Sequence, residues 1–296
     1  MNIILEMITM KYTFVKNYKN DDALRTSFNA LAGETFGLSF IDWYDNGFWG
    51  DQYIPYSFVD KGKIIANVSV NIMDFSLDGE DKNFIQLGTV MTHKDYRGQG
   101  LSRYLMEKII EEYEPKVDGI YLFANDSVLD FYPKFGFIKG REYQYSKELT
   151  ASNNIKSVQS FDMKSKVNWT MFLDAVKKSE YNDRFGVKNL GLMAFYTVSS
   201  NLVYYLKEED CYAVAEISED KLFLNQIVAD HKVDLDKVIA SFGPGIKKVV
   251  LGFTPINGEG YHIEELCEEN STLFIRGEGL EVIEKKRLMF PVLSHA

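Results

Sequence analysis

The sequence predicts an α/β fold, with helices packed on a mixed sheet of the α+β type. Residues 84–92 are apolar and β-branched enough to form a buried strand. Downstream, Leu101, Leu105 and Ile109 recur at helical spacing through residues 101–113, a stretch without Gly or Pro. A strand therefore leads into a helix, and further strand and helix patterns alternate around this unit.

The strand and the helix are joined by a short glycine loop, residues 97–102 with the sequence RGQGLS. Glycines let a loop bring its backbone close to a ligand, and the first turn of a helix offers N–H groups that have no partner. Such a loop predicts a site for an anion, best a phosphate or pyrophosphate. It lacks the Gly-Lys-Ser/Thr end of a P-loop and the third glycine of a dinucleotide-binding turn, so neither of those sites is indicated.

The remaining elements of the first half follow from periodicity and turn residues. Acidic residues in its first turn favour a helix after Asp21 and Asp22. The predicted elements are a helix over 23–32, a partly helical aromatic stretch over 36–50, strands over 53–59, 63–74 and 119–124, a helix over 127–134, and a final strand from 137 to about 145. This order indicates one mixed α/β domain.

Two motifs in this half resemble the GCN5-related N-acetyltransferase (GNAT) superfamily. The loop is similar to the family's acetyl-CoA loop, Gln/Arg-x-x-Gly-x-Gly/Ala, with Arg97, Gly100 and Ser102 at the defined positions and Ser in place of the usual Gly or Ala. Residues 124–137, ANDSVLDFYPKFGF, resemble the family's Asn…Phe-Tyr-x-Lys-x-Gly-Phe segment, which follows the fifth strand. The resemblance implies the GNAT fold for residues 1–150 and acetyl-CoA as the cosubstrate, without a metal.

The resemblance also implies which residues bind acetyl-CoA. Strand backbone would pair with the pantetheine arm and the thioester carbonyl, and loop N–H groups would hold the pyrophosphate. The residues are Val90, Met91 and Thr92 on the strand, Gly98, Gln99, Gly100, Leu101, Ser102 and Arg103 in the loop, and Asn125, Ser127 and Val128 beside the arm. Core packing explains the strand residues equally well, and Ser127 is alternatively a helix cap. The Arg97 side chain, a phosphate contact or a surface cation, has the weaker role.

Tyr132 is the predicted general acid. By resemblance, the Tyr of this segment lies beside the sulfur of CoA. A phenol with an ordinary pKa of about 10 stays protonated at neutral pH and can donate to a forming thiolate. The alternative is that Tyr132 belongs to an aromatic core cluster with Phe131, Phe135 and Phe137.

The sequence does not identify the general base. Several polar residues lie in segments predicted to face the acceptor, and each is more simply a solvated surface group. They are Glu34, Asp42, Asp45, Asp51 and Gln86, with His93 beside the loop as a further candidate that is more simply a surface or packing residue. A chain of water molecules would serve the same purpose.

Residues 150–154 are small and polar, which predicts a linker and a division into domains 1–150 and 151–296. The second half weakly repeats the first, since Phe223 and Phe274 are spaced almost as Phe84 and Phe137 are. A helix-like stretch over 234–242 and a strand-like stretch over 248–253 lie between them. Because residues 229–234 contain no glycine loop, we predict a degenerate GNAT-like domain that has lost cofactor binding. A chance resemblance between two α/β segments is the alternative.

The chain of 296 residues has a formal net charge of −10, from 33 Lys and Arg against 43 Asp and Glu. A nucleic-acid partner is not expected, because phosphate binding needs basic residues. The acidic surplus favours a cationic acceptor through long-range attraction, or it is ordinary solubility charge. Cys211 and Cys267 form no disulfide or metal pattern and are expected to be buried.

The apolar start, residues 1–10, is too short for a membrane span and lacks the basic region of a secretory signal. A cytoplasmic protein without a membrane partner is therefore expected. Met7 and Met10 are alternative starts.

The leading functional hypothesis is direct transfer of an acetyl group from acetyl-CoA to a primary amine in a ternary complex. The acceptor is a small molecule or a protein amine, and it is left open between an aminoglycoside-like compound, a polyamine, another metabolite and a protein. The second domain is expected to shape the acceptor side or to form a homodimer interface. The alternatives are a non-catalytic acyl-CoA-binding sensor on the same fold and a tRNA-dependent aminoacyltransferase, which the acidic charge disfavours.

Overall fold

The computed structural model describes residue 8, residues 11–150 and residues 156–295. The alternative starts Met7 and Met10, residues 151–154 of the predicted linker, and Ala296 lie outside the described residues. Within the described part, no helix is long and apolar enough to cross a membrane.

The first half forms strands and helices close to the predicted positions. In chain order they are β1 (Thr13–Lys16), α1 (Asp22–Phe36), α2 (Ile41–Asp45), β2 (Tyr53–Asp60), β3 (Lys63–Leu77), β4 (Glu80–Thr92), α3 (Leu101–Tyr113), β5 (Gly119–Ala124), β6 (Ile138–Lys139) and β7 (Tyr143–Glu148). Helix α3 has the predicted bounds because Leu101, Leu105 and Ile109 are all buried against the sheet.

The second half continues the alternation of strands and helices. Its elements are β8 (Val158–Ser160), α4 (Lys166–Lys178), β9 (Phe185–Val187), α5 (Leu190–Thr197), β10 (Val203–Leu206), β11 (Cys211–Ser218), β12 (Lys221–Val228), α6 (Leu235–Ala240), β13 (Lys248–Leu251), β14 (His262–Glu265), β15 (Thr272–Arg276) and α7 (Val282–Lys285). The strands form two mixed sheets, which confirms the predicted fold class.

The predicted helix over residues 127–134 is wrong. Two 3₁₀ turns, Asp126–Val128 and Tyr132–Phe135, take its place. Pro133 explains the difference, because it has no N–H to donate and disfavours helical geometry at the preceding residue. Gly136 ends the second turn with a φ of 77°, a conformation that suits glycine.

The two sheets have the same strand order. The first runs β1-β2-β3-β4-β5-β15-β6, with β9 added beside part of β3, and the second runs β8-β10-β11-β12-β13-β7-β14. In each sheet the fourth and fifth strands are parallel and joined through a helix, β4 to β5 by α3 and β12 to β13 by α6. The second half is therefore a topological repeat of the first.

The sixth position of each sheet is filled by a strand from the other half. β15 lies between β5 and β6, and β7 lies between β13 and β14. The predicted single strand from 137 to about 145 is therefore wrong, because β6 and β7 belong to different sheets. Gly140 lies between them, and a Cβ there would come within 2.8 Å of Leu273 Cδ2. The division at residue 150 stays a prediction. Each sheet contains a strand from the other side of this residue, β15 in the first sheet and β7 in the second.

The similarity between the segments at Phe137 and Phe274 does not mark equivalent strands. Phe274 lies in β15, which pairs with β6 so that Phe274 is opposite Lys139 and Ile275 opposite Ile138. The two similar segments are therefore neighbours in one sheet. Phe223 does lie in β12, which holds the place of β4 in the second sheet.

The first sheet is covered on both faces. On one face, Leu105 and Ile109 of α3 pack with Ile120 and Leu122 of β5. On the opposite face, Tyr121 packs with residues from the second half and the C-terminal part of the chain. Consecutive residues of a strand alternate between faces, so the second half covers the face opposite α3.

A buried carboxyl group fixes the C-terminal part of the chain. Glu142, 5% exposed, accepts a hydrogen bond from the backbone N–H of Phe290 at 2.7 Å. Burial raises the pKa of Glu142 to about 8, so the group is mostly protonated at neutral pH. Phe290 also stacks on Tyr121, with 4.1 Å between ring centroids.

The two cysteines differ in exposure. Cys211 is buried, as predicted, and burial raises the pKa of its thiol to about 12. Cys267 is exposed, so the expectation that both are buried is wrong for this residue. It lies in an acidic loop beside Glu268 and Glu269, where no apolar element covers it.

Replacing Glu142 by Gln is expected to stabilise the fold increasingly as the pH rises. In an unfolded chain the carboxyl group ionises near pH 4.3, whereas the folded protein holds the proton up to about pH 8. Between these values the folded state binds more protons, so the wild type loses about 1.4 kcal/mol of unfolding free energy per pH unit through this group. Gln still accepts from the Phe290 N–H and does not ionise.

Urea unfolding of both proteins at pH 5 and pH 8 measures this difference. The exposed Glu216→Gln variant is the matched control, because Glu216 lies on the surface of β11. Equal gains for Glu142→Gln at the two pH values would contradict the prediction.

Candidate functional site

The glycine loop forms an open cradle at the start of α3. Gly98 and Gly100 have φ values of 75° and 82°, a conformation that other L-residues rarely adopt. Gly100 is the N-cap residue of α3 and has no side chain to satisfy the first-turn N–H groups. The N–H groups of Leu101, Ser102 and Arg103 are therefore available to an anion, which the helix dipole also favours.

Side chains around the loop hold its shape. Arg97 Nε donates to the carbonyl oxygen of Thr92 at 3.2 Å, and the Tyr12 hydroxyl donates to Gln99 Oε1 at 2.7 Å. The hydroxyl oxygens of Ser102 and Thr92 lie 2.6 Å apart. The Arg97 side chain thus supports its own loop, and the Ser that departs from the family pattern ties α3 to the end of β4.

Next to the loop, β4 separates from β5. Their parallel pairing extends only as far as Gln86 and Tyr121 among the described residues. One residue of β3 is opposite two of β4 in this region, and Thr89 within the resulting bulge has a φ of 45°. Bulges bend a strand and interrupt its pairing. Residues 90–92, predicted to bind the pantetheine arm, follow the bulge and have an edge without a partner strand toward β5.

A buried hydrogen-bond network fixes the bulge. Asn67 Nδ2 donates to the carbonyl oxygen of Thr89 at 2.9 Å, and the hydroxyl oxygens of Thr89 and Tyr53 lie 2.6 Å apart. Ser69 donates to the Tyr53 hydroxyl at 2.9 Å. A positive φ at a β-branched residue costs roughly 1–3 kcal/mol, and these bonds offset that cost.

The predicted site residues in the segment after β5 differ in their exposure to solvent. Asn125, Ser127 and Val128 are exposed, and no α-helix begins at Ser127 for it to cap. Tyr132 is 5% exposed, and its ring lies 5.5 Å from that of Phe274, in the cluster on the α3 face. Burial raises the pKa of Tyr132 to about 12, so the phenol keeps its proton at neutral pH.

On the face opposite α3, three polar side chains form a row at the split. Asn71, Gln86 and Tyr121 are opposite one another on β3, β4 and β5, and each is at most 2% exposed. Within the described chain, Asn71 Nδ2, both amide atoms of Gln86 and the Tyr121 hydroxyl have no hydrogen-bond partner. Leaving such groups unpaired costs about 1–3 kcal/mol each. The row therefore marks a position suited to a polar ligand.

The residues considered as a base from the sequence are not arranged for that role. His93 Nδ1 accepts from the Asp95 N–H at 3.3 Å and so caps the turn after β4. Gln86 is at the split, but an amide does not take up a proton at neutral pH. The carboxylates are all exposed: Glu34, Asp42, Asp45 and Asp51. Within residues 11–150 and 156–295, no group of three His, Cys, Asp or Glu side chains is placed to hold a metal.

A cavity of about 230 Å³ opens on the same face as the polar row. Its walls come from both halves of the chain. Aromatic, amide and aliphatic groups line it, chiefly Trp43, Phe48, Tyr53, Asn71, Asn189 and Leu192, and none of the described residues that line it has a charged side chain. Trp43 Nε1 donates to the Gly191 carbonyl oxygen at 2.7 Å, which joins the two walls. Tyr53 connects the cavity to the bulge, and Asn71 connects it to the row.

The equivalent place in the second half is closed by the protein itself. Asp234 Oδ1 accepts from the N–H groups of Asp236 at 3.0 Å and Lys237 at 3.4 Å, so the start of α6 is already capped. Beyond β13, the Val292 N–H donates to the Gly252 carbonyl oxygen at 2.9 Å. A Cβ on Gly252 would come within 2.7 Å of Val292 Cγ2. Residues 229–234 thus lack the open cradle, and the C-terminal segment at Val292 covers the end of β13 beside them.

A larger cavity of about 600 Å³ lies at the opposite end of β4, beside the turn between β3 and β4. Its basic side chains already have partners. Arg184 donates to the Asp78 carboxylate at 2.9 Å, and Lys188 and Lys232 donate to backbone carbonyl groups. This cavity lies where the two halves of the chain meet, far from the glycine loop.

Sequence reasoning missed the residues that reach the site from distant parts of the chain. Tyr53, Asn71 and Tyr121 belong to the site because of strand register, and Leu192 because the second half packs on this face. No local motif marks them. For Asn71 and Tyr121, a polar residue within an apolar strand was the available signal.

Comparison with known proteins finds a family match within the first half of the chain. The family model of the Acetyltransferase (GNAT) family matches residues 18–137, which include the glycine loop and Tyr132. A relative called uncharacterized N-acetyltransferase ycf52, from Porphyra purpurea, is 33% identical over 73 residues, 24% of this chain and 42% of the relative. Its counterpart from Gracilaria tenuistipitata var. liui is 45% identical over 51 residues, 17% of this chain and 28% of that protein. The matches span less than half the length of these relatives.

Solved structures resemble nearly the whole chain. A probable N-acyltransferase from Enterococcus faecalis V583 has a TM-score of 0.61 at 14% identity, covering 92% of this chain and 74% of that one. A GCN5-related N-acetyltransferase from Kribbella flavida has a TM-score of 0.55 at 16% identity, covering 93% and 73%. Eis1 from Mycobacterium abscessus has a TM-score of 0.52 at 11% identity, covering 88% and 73%. At these identities the likeness shows the fold, and it confirms the predicted GNAT fold.

Gly100→Glu is expected to abolish the binding of acetyl-CoA. The substitution places a carboxylate at the free N–H groups of α3 and forces a φ of 82° on a residue with a Cβ. Calorimetric titration of acetyl-CoA into wild type is expected to give one site per chain, because the second half is closed. The variant is expected to give no binding heat, and titration of free CoA serves as the reference.

Gly79→Glu is the matched control for glycine strain. Gly79 has a φ of 89°, is exposed at the far end of β4, and has no atom within 4 Å of its Cβ position. Binding by a folded Gly100→Glu protein would show that the cradle is not where acetyl-CoA binds, and two sites in wild type would show that the second half is not closed to it.

Proposed function

We propose, on the premise that residues 18–137 form a domain of the acetyltransferase (GNAT) family, that this protein transfers an acetyl group from acetyl-CoA to a primary amine. One observation carries the proposal: an open strand edge at residues 90–92 leads to an uncapped helix start at Gly100. The edge offers backbone groups to the pantetheine amides, and the helix start offers N–H groups to the pyrophosphate.

The reaction joins the amine nitrogen to the thioester carbonyl carbon and breaks the bond from that carbon to sulfur. A neutral amine attacks, the nitrogen loses one proton, and the departing thiolate gains one. Backbone N–H groups after the bulge at Thr89 would polarise the carbonyl. By resemblance to the family the transfer is direct, in a ternary complex, and the buried Cys211 lies in β11 of the second sheet.

Tyr132 is the proposed acid for the thiolate. It lies in the cluster that joins α3 to the end of β5, on one side of the gap between β4 and β5. Its hydroxyl makes no hydrogen bond to another residue of the described chain, so it is free to donate. The raised pKa keeps the proton in place until the thiolate forms.

The cavity beside the polar row suits the acceptor. Its walls combine aromatic rings with amide groups and carry no charge. A second ammonium group buried there would have no counter-ion, and burying an unpaired charge is costly. We therefore infer that the acceptor is a small monoamine with an aromatic or apolar body, rather than a polyamine or an aminoglycoside.

A panel of amines tests the reaction and this preference together. With acetyl-CoA and a thiol reagent that detects released CoA, tyramine is expected to give a kcat/KM at least about tenfold higher than spermidine, corresponding to 1.4 kcal/mol or more. Kanamycin and a lysine-containing peptide complete the panel. Faster turnover of spermidine or kanamycin would contradict the inferred acceptor class. Acetyl-CoA binding without turnover of any amine would favour the alternative, a non-catalytic acyl-CoA-binding module.

Tyr132→Phe is expected to lower kcat by about 10²-fold to 10³-fold, the effect typical of losing a general acid. Acetyl-CoA affinity and the unfolding free energy should stay close to wild type, because the ring and its packing are retained. Stopped assays with tyramine and calorimetric titration measure the two quantities. Tyr212→Phe, in β11 of the second sheet, is the control. An unchanged kcat in Tyr132→Phe would remove Tyr132 from the mechanism.

A further inference from the structure

The segment after α7 brings a histidine to the split between β4 and β5. The ring of His295 stacks on that of Phe123, with 3.8 Å between centroids and 26° between planes. Phe123 lies two residues beyond Tyr121, the last β5 residue paired with β4, and shares its face. His295 is therefore beside the open part of the split, on the face opposite Tyr132.

The two ring nitrogens of His295 have different surroundings. Nδ1 is not among the buried nitrogen atoms that lack a hydrogen-bond partner. Nε2 is buried and has no hydrogen-bond partner among the described residues. The neutral ring protonated on Nδ1 is the tautomer in which Nε2 can accept a proton. Nε2 is then left with a free lone pair.

The backbone of this segment is held independently of the ring. The Tyr196 hydroxyl donates to the carbonyl oxygen of His295, and Ser294 Oγ donates to the carbonyl oxygen of Pro291 at 2.6 Å. The Phe290 N–H is held by Glu142. The position of His295 thus depends on contacts that a side-chain substitution at 295 leaves in place.

We propose that His295 is the general base of the reaction and that its Nε2 accepts the proton which the amine nitrogen loses as the C–N bond forms. This inference rests on the proposed function. The proton then passes to solvent when the amide product leaves, so the ring returns to its neutral form. No oxidant, metal or acyl-enzyme is involved in the step.

The arrangement of the two faces supports this role. Tyr132 lies on the α3 face of the gap, whereas His295, Gln86 and the uncharged cavity lie on the other. An amine that enters from the cavity would attack the carbonyl from the His295 side, and the sulfur would leave beside Tyr132. Burial lowers the pKa of His295 to about 4, so the ring is unprotonated at neutral pH.

Two substitutions separate base catalysis from packing. His295→Phe keeps a ring on Phe123 but removes the proton acceptor, and His295→Ala leaves space for a small base. With acetyl-CoA and tyramine, both are expected to lower kcat by about 10²-fold to 10³-fold, with KM for tyramine within about threefold and acetyl-CoA binding unchanged. Added imidazole is expected to restore activity to His295→Ala but not to His295→Phe. His262→Phe, at an exposed site on β14, is the matched control.

A full kcat in His295→Phe, or a loss of kcat in His295→Ala that imidazole does not relieve, would overturn the assignment while leaving the acetyltransferase function intact. Histidine ¹⁵N NMR gives a second readout that needs no acceptor, with the His295 signals assigned by their absence from His295→Phe. The expected result at pH 7 is a neutral ring protonated on Nδ1, whose Nε2 signal shifts when acetyl-CoA saturates the protein. A ring protonated on Nε2, or an Nε2 signal that acetyl-CoA leaves unmoved, would also overturn it, whatever the turnover.

Discussion

The gap between β4 and β5 depends on the pairing of β5 with β15. A strand that loses its neighbour on one edge exposes N–H and carbonyl groups, and a strand without pairing on both edges would not stay extended. β15 pairs with β5 from Ile120 to Ala124, along the part that β4 leaves. One edge of β5 is therefore fully bonded while the other stays open, which is the condition for a stable opening inside a sheet.

The two halves show how one topology can present or remove an anion site. Helices α3 and α6 occupy the same place in their sheets, and each follows the fourth strand. Gly100 leaves the start of α3 uncapped, whereas the Asp234 carboxylate satisfies the start of α6. The residue at the N-cap thus decides whether the first-turn N–H groups and the positive end of the helix dipole are available to an anion, as in α3, or are already satisfied by a side chain, as in α6.

The sequence predicted what local patterns encode. The bounds of α3 and β5 were predicted correctly because their periodicity and flanking turns are uninterrupted, and the glycine loop was recognised from its own residues. The predicted helix at 127–134 is wrong, because Pro133 breaks a pattern that otherwise has helical spacing. The exchange of β7 and β15 could not be predicted, because the sequence of a strand does not show which other strand it pairs with. The same holds for Asn71 and His295, which reach the site through register and through the path of the C-terminal segment.

The exchanged strands also constrain how such a chain can change over generations. A deletion of the second half would remove β15 from the interior of the first sheet, and a deletion of the first half would remove β7 from the second. The second half, which has no open cradle, therefore cannot be lost without removing a strand from the first sheet. Selection that maintains the glycine loop also maintains a domain that has no such loop, and the two are inherited as one unit.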